Sequence, residues 1–550
     1  MSRDMVFSID QNCHTLWDPI PKIQALISGG YRVRHFIEDT DVAFTSLGAQ
    51  NGDVGWHLAR ERFHHSGGTD WGAALFYSEF LGRLPLEIRD LEPFTGIKTR
   101  ILAKKLGRTV EQLYEEFSPG QTWQLIGGSY VGDKEHHRLI GDISVADSKD
   151  FLCELLEKAY QNMLYTFPED SSQMRLHEWF KNERKLLKKL LKEHAKGRLI
   201  DLYRTWMYSY LPGEVHLDTA SSLFTCQLNR QPLEILEIFL SNYELASQLY
   251  NQSIQETNLR FRPLLKQEGE LPFFAVFKHR GHAVRSPVFL QKGKVIIDNK
   301  PFELVEDRGI PLIAMRQAGI QALVGKAIIL IIQIRFGNRG NSLALPYRGS
   351  LYMPAVEWLI KEMAQNNLLL EKIHPVIRVR LYLLERLKSL NTVIRLPDYL
   401  TSYFGKEEIS ARELGKSYVS LSKEATERLK KFKSAQFRRQ WQKENFPHIC
   451  TSIEEIEQLR LRLLQQGSSK ERIRALKYRQ NEFESHLLDL TFRQIVRDYH
   501  LQHIDYWDSR GAIIPWSIAL GGENFYRELI AGAEIYEEPA PRIHATAKSP

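Results

Sequence analysis

The chain has 550 residues, 43% hydrophobic and 11% aromatic, which is enough to bury a substantial core and excludes a disordered protein. Its formal charge of +7 is mild for this length; it permits an anionic ligand without requiring one. Four scattered cysteines, Cys13, Cys153, Cys226 and Cys450, form no CxxC pair, which argues against a disulfide scaffold or zinc knuckle and favours a reducing compartment.

The opening MSRDMVFSIDQNCH holds no apolar leader. The longest apolar run is far shorter than the roughly 20 residues of a membrane span. A cytoplasmic protein with no membrane partner is expected.

Residues 1–150 read as the first part of an α/β core. Tyr31–Ile37 and Val42–Leu47 predict strands. Val54–Phe63, Trp71–Leu81, Arg100–Leu106 and Val110–Phe117 predict helices, with Thr109 a cap. Trp123–Ile126 predicts a strand entering Gly127-Gly128-Ser129-Tyr130. Residues 151–269 read as a helical insertion, with helices over Asp150–Leu164, Leu176–Leu199 and Pro232–Tyr250.

The core resumes over 270–404. Phe273–Phe277, Val288–Gln291, Lys294–Asp298 and Phe302–Val305 predict a β-meander. Leu312–Val324 predicts a helix. Ala327–Ile334 is the most apolar run and predicts a central strand, because β-branched side chains suit a pleated sheet and a strand without polar alternation must be covered on both faces. A short strand at Leu343–Pro346, a turn through Arg348-Gly349-Ser350 and a helix opened by Pro354 follow. Val376–Leu390 reads as one helix.

Residues 405–500 predict a long, coiled-coil-like helical pair, Ser410–Gln442 and Ser452–His500, divided at Pro447 and interrupted by Gly467-Ser468-Ser469. Residues 501–536 are expected to pack back on the core, and 537–550 to form a disordered tail. The expected fold class is therefore α/β: a Rossmann-like core with a helical insertion and a C-terminal helical pair.

Two loops stand out for chemistry. Arg348-Gly349-Ser350 precedes a helix, where free N–H groups, a glycine and an arginine suit an anion; the plainer reading is a glycine turn with a cap. The cluster Gly127–Arg138 follows a predicted strand, and its Asp133, Glu135 and His136 suit acid–base work, against a solvated loop. The glycine-rich stretch His64–Gly72 reads better as helix capping. Lys278-His279-Arg280-Gly281-His282 offers only two metal ligands, so no metal is expected. Neither GxGxxG nor GxxxxGK[ST] occurs, and no cofactor is named by the sequence. The basic stretches Arg175–Arg198 and Arg428–Arg439 carry apolar stripes, as solvated helix faces do, so nucleic acid is not the expected partner.

In feature order the chain resembles the bacillithiol-synthesis cysteine-adding enzymes, cytosolic bacterial proteins with a Rossmann-like core, helical insertions and a coiled-coil segment. In that family an early core strand leads to Glu-Asp-His-Asp; the nearest match read from the sequence is Asp133-Lys134-Glu135-His136-His137. Arg316, the run Ala327–Ile334 and Gly349-Ser350-Leu351-Tyr352 resemble a later arginine–strand–glycine–tyrosine segment. Leu520-Gly521-Gly522-Glu523-Asn524-Phe525 resembles the family's closing stretch. The family's Gly-Gln-Gln and Gly-Pro-Gly-Glu turns are absent.

The resemblance implies a ligase joining cysteine to a glucosaminyl-malate acceptor. The expected small-molecule site then has Asp133, Glu135 and His136 as catalytic groups and Arg316, Arg348, Gly349, Ser350 and Tyr352 on substrate. A homodimer through 410–500 is the expected assembly. The competing expectations are a non-catalytic scaffold built on the helical pair and a nucleic-acid-associated protein.

Overall fold

The computed structural model describes residues 5–541 apart from 11–16, 18, 41–43, 46–87, 118–128, 131–136, 227–232, 260, 306–308, 351 and 510–512. In chain order, the elements that frame the molecule begin with β1 (Met5–Asp10), α1 (Pro19–Ser28) and β2 (Arg32–Ile37). Then come α2 (Val145–Thr166), α3 (Asp170–Glu193), α4 (Leu199–Tyr208) and β3 (His216–Thr219). They are followed by α5 (Glu234–Ser241), α6 (Tyr243–Glu256) and the strands β4 (Glu270–His279), β5 (His282–Gln291), β6 (Lys294–Ile297), β7 (Lys300–Glu303) and β8 (Ile320–Gly325). The chain continues through α7 (Ala327–Arg335), β9 (Ser342–Pro346), α8 (Met353–Gln365) and β10 (Val376–Arg380). It ends with α9 (Ala411–Phe432), α10 (Ala435–Asn445), α11 (Pro447–Gln465), α12 (Lys470–Gln502), α13 (Ile513–Ala531) and β11 (Glu534–Glu538).

Two sheets organise these elements. The first has the order β11-β10-β9-β1-β2-β3; all neighbours are parallel except β11, which runs antiparallel on β10. Both its faces are covered, as a parallel sheet requires. Val6, Val33, Ile37, Ala344, Ile377 and Val379 belong to one core with α1, α2, α3, α4 and α13. Leu343, Leu345 and Val376 belong to a second, shared with α5, α6, α7, α8 and the other sheet. That other sheet is antiparallel, β7-β6-β5-β4-β8; its β4–β7 are the meander that the short, turn-bounded runs over 273–305 predict.

Three expectations about the core elements are corrected. Ala327–Ile334 is not a strand but α7, and the strand lies just before it at β8. A helical preference cost of about half a kcal/mol per β-branched residue is small beside the roughly 1.5–3 kcal/mol for burying each Ile. Ile328, Ile329, Ile331, Ile332 and Ile334 are all buried, so a helix apolar on every side simply fills the space between the sheets. Leu312–Val324 is helical only over Leu312–Gln317; Gly319, at φ +89°, turns the chain into β8. Val376–Leu390 is β10 followed by the short helix Leu383–Leu387. Its Val376, Ile377 and Val379 are the β-branched residues that build a parallel strand.

The expected helical pair is four helices. α9, α10 and α11 carry the chain outward, the turn at 467–469 reverses it, and α12 returns along α11 and then α9. At 33 residues, α12 is about 50 Å long. Asp498, fully buried near its base, accepts from Arg428 Nε at 2.8 Å and from the Tyr403 hydroxyl at 2.5 Å. Glu537 and Glu538, expected to begin a disordered tail, pair with Ile377 and Val376 in β11.

The first core encloses an acid. Glu183, on α3, accepts from Trp17 Nε1 at 3.3 Å, and burial lifts its pKa to about 7 despite hydrogen bonds from Tyr210 and Trp17. An acid whose pKa is higher when folded (about 7 against 4.5) loses stability as pH rises from 4.5 to 7. Glu183→Gln is therefore expected to stabilise the fold by roughly 2–3 kcal/mol at pH 8, with the gain vanishing near pH 4.5. Urea denaturation at the two pH values checks this; an equal effect at both contradicts it.

Candidate active site

From β1 the chain builds outward to β2 and β3, then returns to the other side of β1 as β9 and β10. The crevice beyond the carboxyl ends of β1 and β9 is where an open α/β sheet receives ligands, because the loops on its two sides diverge there. Two polar groups flank it.

The first lies past β2. Glu38 Oε1 accepts from the Thr40 amide at 2.8 Å and also from the Thr40 hydroxyl. The Asp39 carboxylate accepts from the Ser221 amide at 2.8 Å and the Ser221 hydroxyl at 2.5 Å. Burial raises the Asp39 pKa, although the Ser221 hydrogen bonds oppose it. Behind them, His35 Nδ1 lies 2.9 Å from Ser8 Oγ, and its Nε2 is buried without a partner. Burial and then the charge of Lys22 push His35 well below its usual pKa, so it is neutral.

The second sheet closes over this end. Arg285 of β5 lies over the Phe274 ring at 4.3 Å and donates from Nη1 to the Thr40 carbonyl at 3.1 Å. Beside it Lys326 donates at 2.6 Å to the buried Glu270.

The second group lies past β9 and β10. Arg348 donates through Nε (3.1 Å) and Nη2 (2.5 Å) to Asp505 Oδ2. Arg380 donates through Nε (3.3 Å) and Nη2 (3.2 Å) to Asp508 Oδ2. Both guanidinium groups pack on one ring, Tyr347, at 5.2 and 4.3 Å from its centroid. Asp508 is fully buried and also accepts from the Leu384 amide at 3.0 Å; burial pushes its pKa up to about 6.

Arg378 supports the turn from beneath, donating to the carbonyls of Pro346 (3.1 Å) and Gly349 (2.7 Å). Gly349 is required here, since a Cβ would lie 2.5 Å from Pro346 Cδ. Two residues of this region adopt the left-handed conformation that favours glycine: Ser350 at φ +65° and Tyr382 at φ +57°. Such strain gathers where the surrounding structure holds a functional loop. The Ser350 hydroxyl and Asp505 Oδ1 are both buried without a partner.

Of the residues expected at the site, Arg348, Gly349 and Ser350 sit at the crevice. Tyr352 is at the start of α8 with its ring against Phe261. Arg316 is exposed on the short helix before β8, near Cys226 of the second core, and is not brought to Arg348. Asp133, Glu135 and His136 lie outside the described residues, as does His64–Gly72. The described segment resumes at His137, whose backbone pairs with Arg285, the residue that donates to the Thr40 carbonyl. His279–His282 is the tight turn between β4 and β5, and His282 Nδ1 lies 3.0 Å from Asp142. Among the described residues no three His, Cys, Asp or Glu side chains are placed to hold a metal ion.

Sequence reasoning missed Glu38, Asp39, Arg380, Asp505 and Asp508. An acidic pair directly after a correctly read strand was the available signal for the first two. Reading Val376–Leu390 as a helix concealed Arg380.

An open groove of about 950 Å³ lies at the opposite, amino edge of the sheet, lined by residues including Arg32, Ser342, Lys372, His374 and Glu537. It is the end at which parallel sheets do not ordinarily present their ligands. No protein-family model, curated protein or solved structure matches the chain.

Ser350→Gly is expected to relieve the left-handed strain and stabilise the fold by about 0.5–1 kcal/mol, while removing the unpartnered hydroxyl. Thermal denaturation measures the gain; a loss of stability would mean that the hydroxyl, not the backbone, dominates.

Proposed function

We propose that the chain is an enzyme acting on a small, amino-acid-like anion at the carboxyl edge of a Rossmann-like sheet. The observation that carries this reading is the juxtaposition at the strand reversal: acids past β2 on one side, two ring-packed arginines past β9 and β10 on the other. Arg348 and Arg380 each keep Nη1 for a ligand carboxylate, and the amino end of α8 adds a favourable dipole. Asp505 Oδ1 accepts a proton donor such as an ammonium or hydroxyl next to that carboxylate. Asp39, whose carboxyl burial holds above the usual carboxylate range, is suited to exchange a proton.

The narrower reading is a C–N bond-forming ligase that looks like the bacillithiol cysteine-adding enzymes. It gains support from β2, an early core strand leading into Glu38-Asp39-Thr40-Asp41. This is a closer counterpart of Glu-Asp-His-Asp than the segment at 133–137, with Thr40 where the family has histidine. In this reading Asp133, Glu135 and His136 supply further acid–base groups.

A thermal-shift screen against amino acids, hydroxy acids and dicarboxylates tests the proposal, since a ligand at 100 times its Kd stabilises the native state by about 2.7 kcal/mol. The expected result is a raised melting temperature that Arg348→Ala, Arg380→Ala and Glu38→Gln each reduce. No shift with any compound, or a shift all three variants retain, overturns it.

A further inference from the structure

The chain's positive charge is not spread evenly. Residues 411–502, the four helices of the arm, hold 19 Lys and Arg against 12 Asp and Glu. Their excess of seven equals the formal +7 of the whole chain, so the remaining residues are neutral in sum. The mild charge read from composition is a strongly basic projection on a neutral body.

In the two basic stretches most visible in the sequence the arginines, Arg439 apart, are committed to the fold, while most of the lysines are exposed. Arg175 donates to the carbonyls of Ile518 and Ala519, and Arg184 pairs with Glu157. Arg428 is held by Asp498, and Arg438 donates to the carbonyls of Phe94, Phe432 and Lys433.

At the start of α12 the arginines too are left without a carboxylate. Lys470, Arg472, Arg474, Lys477 and Arg479 are all exposed, and none of the five pairs with a carboxylate among the described residues. Glu471 is the one acid among them. Lys470, Arg474 and Lys477 recur at i, i+4 and i+7 and so share one helix face, with steps of about 6 and about 4.5 Å along the axis. Tyr478 stands next to them, 68% exposed.

We propose that this face of the arm binds single-stranded nucleic acid. Lys470, Arg474 and Lys477 neutralise successive backbone phosphates, and Tyr478 offers its ring to an unpaired base. A lipid surface fits less well, because a membrane-seeking helix sets basic residues beside an apolar face. The exposed leucines of the neighbouring helix, Leu459, Leu461 and Leu464, follow the exposed acids Glu454, Glu455 and Glu457, which anionic lipid repels. This site is separate from the crevice and stands whatever the substrate there.

Fluorescence anisotropy with the full chain and a labelled 20-nucleotide RNA tests it across a salt series. The expected result is binding at low salt whose log affinity falls linearly with log salt, by about 0.7 per phosphate neutralised. The triple variant Lys470→Glu, Arg474→Glu, Lys477→Glu is expected to weaken binding more than tenfold with an unchanged melting temperature, since all three side chains are exposed. Tyr478→Ala is expected to weaken it about fivefold or more. The proposal is overturned by absent or salt-independent RNA binding, by a triple variant that binds like the parent, or by retention on phosphatidylserine vesicles without RNA binding.

Discussion

The buried carboxylate of Asp508 holds together the parts on which this architecture depends. An ionised carboxyl group taken out of water costs several kcal/mol unless it is paired and hydrogen-bonded. Here Arg380 and the Leu384 amide supply the partners, while the Asp508 carbonyl accepts from the Leu381 amide. The turn that carries Asp508 follows directly on α12, so one residue fixes the root of the arm to the carboxyl end of β10. Asp505, on the same turn, thereby meets Arg348 past β9. The crevice is assembled from segments more than a hundred residues apart in sequence.

That dependence explains what was legible in the sequence. The meander was legible because its strands are short and bounded by turn residues, a signal confined to ten residues or fewer. Arg348-Gly349-Ser350 was legible because a glycine turn before a helix is also local. The reading of Ala327–Ile334 went wrong because a short, wholly apolar run has no period, and its state is set by what surrounds it. The same β-branching argument, applied at Val376, Ile377 and Val379, would have found β10. The pairing of Arg380 with Asp508 has no local trace, and β1 at Met5–Asp10, the centre of the sheet, is a six-residue strand whose importance comes only from its neighbours.

The molecule separates its chemistry by place. At the carboxyl edge the charges are paired and held in geometry: two arginines on one tyrosine ring, acids hydrogen-bonded past β2, strained backbone at Ser350 and Tyr382. At the start of α12 on the arm the basic side chains are exposed and unpaired with carboxylates. The first arrangement suits a small ligand recognised by position. The second suits an extended polyanion recognised by charge.

The measurement that tests the central claim most directly is hydrogen exchange on the full chain, with and without a mixture of the amino acids. A ligand in the crevice is expected to slow exchange together at 38–40, 347–350 and 381–384, which lie past the carboxyl ends of β2, β9 and β10, while 370–375 at the amino edge is unchanged. Slowing confined to 370–375 would place the ligand in the opposite groove and contradict the account.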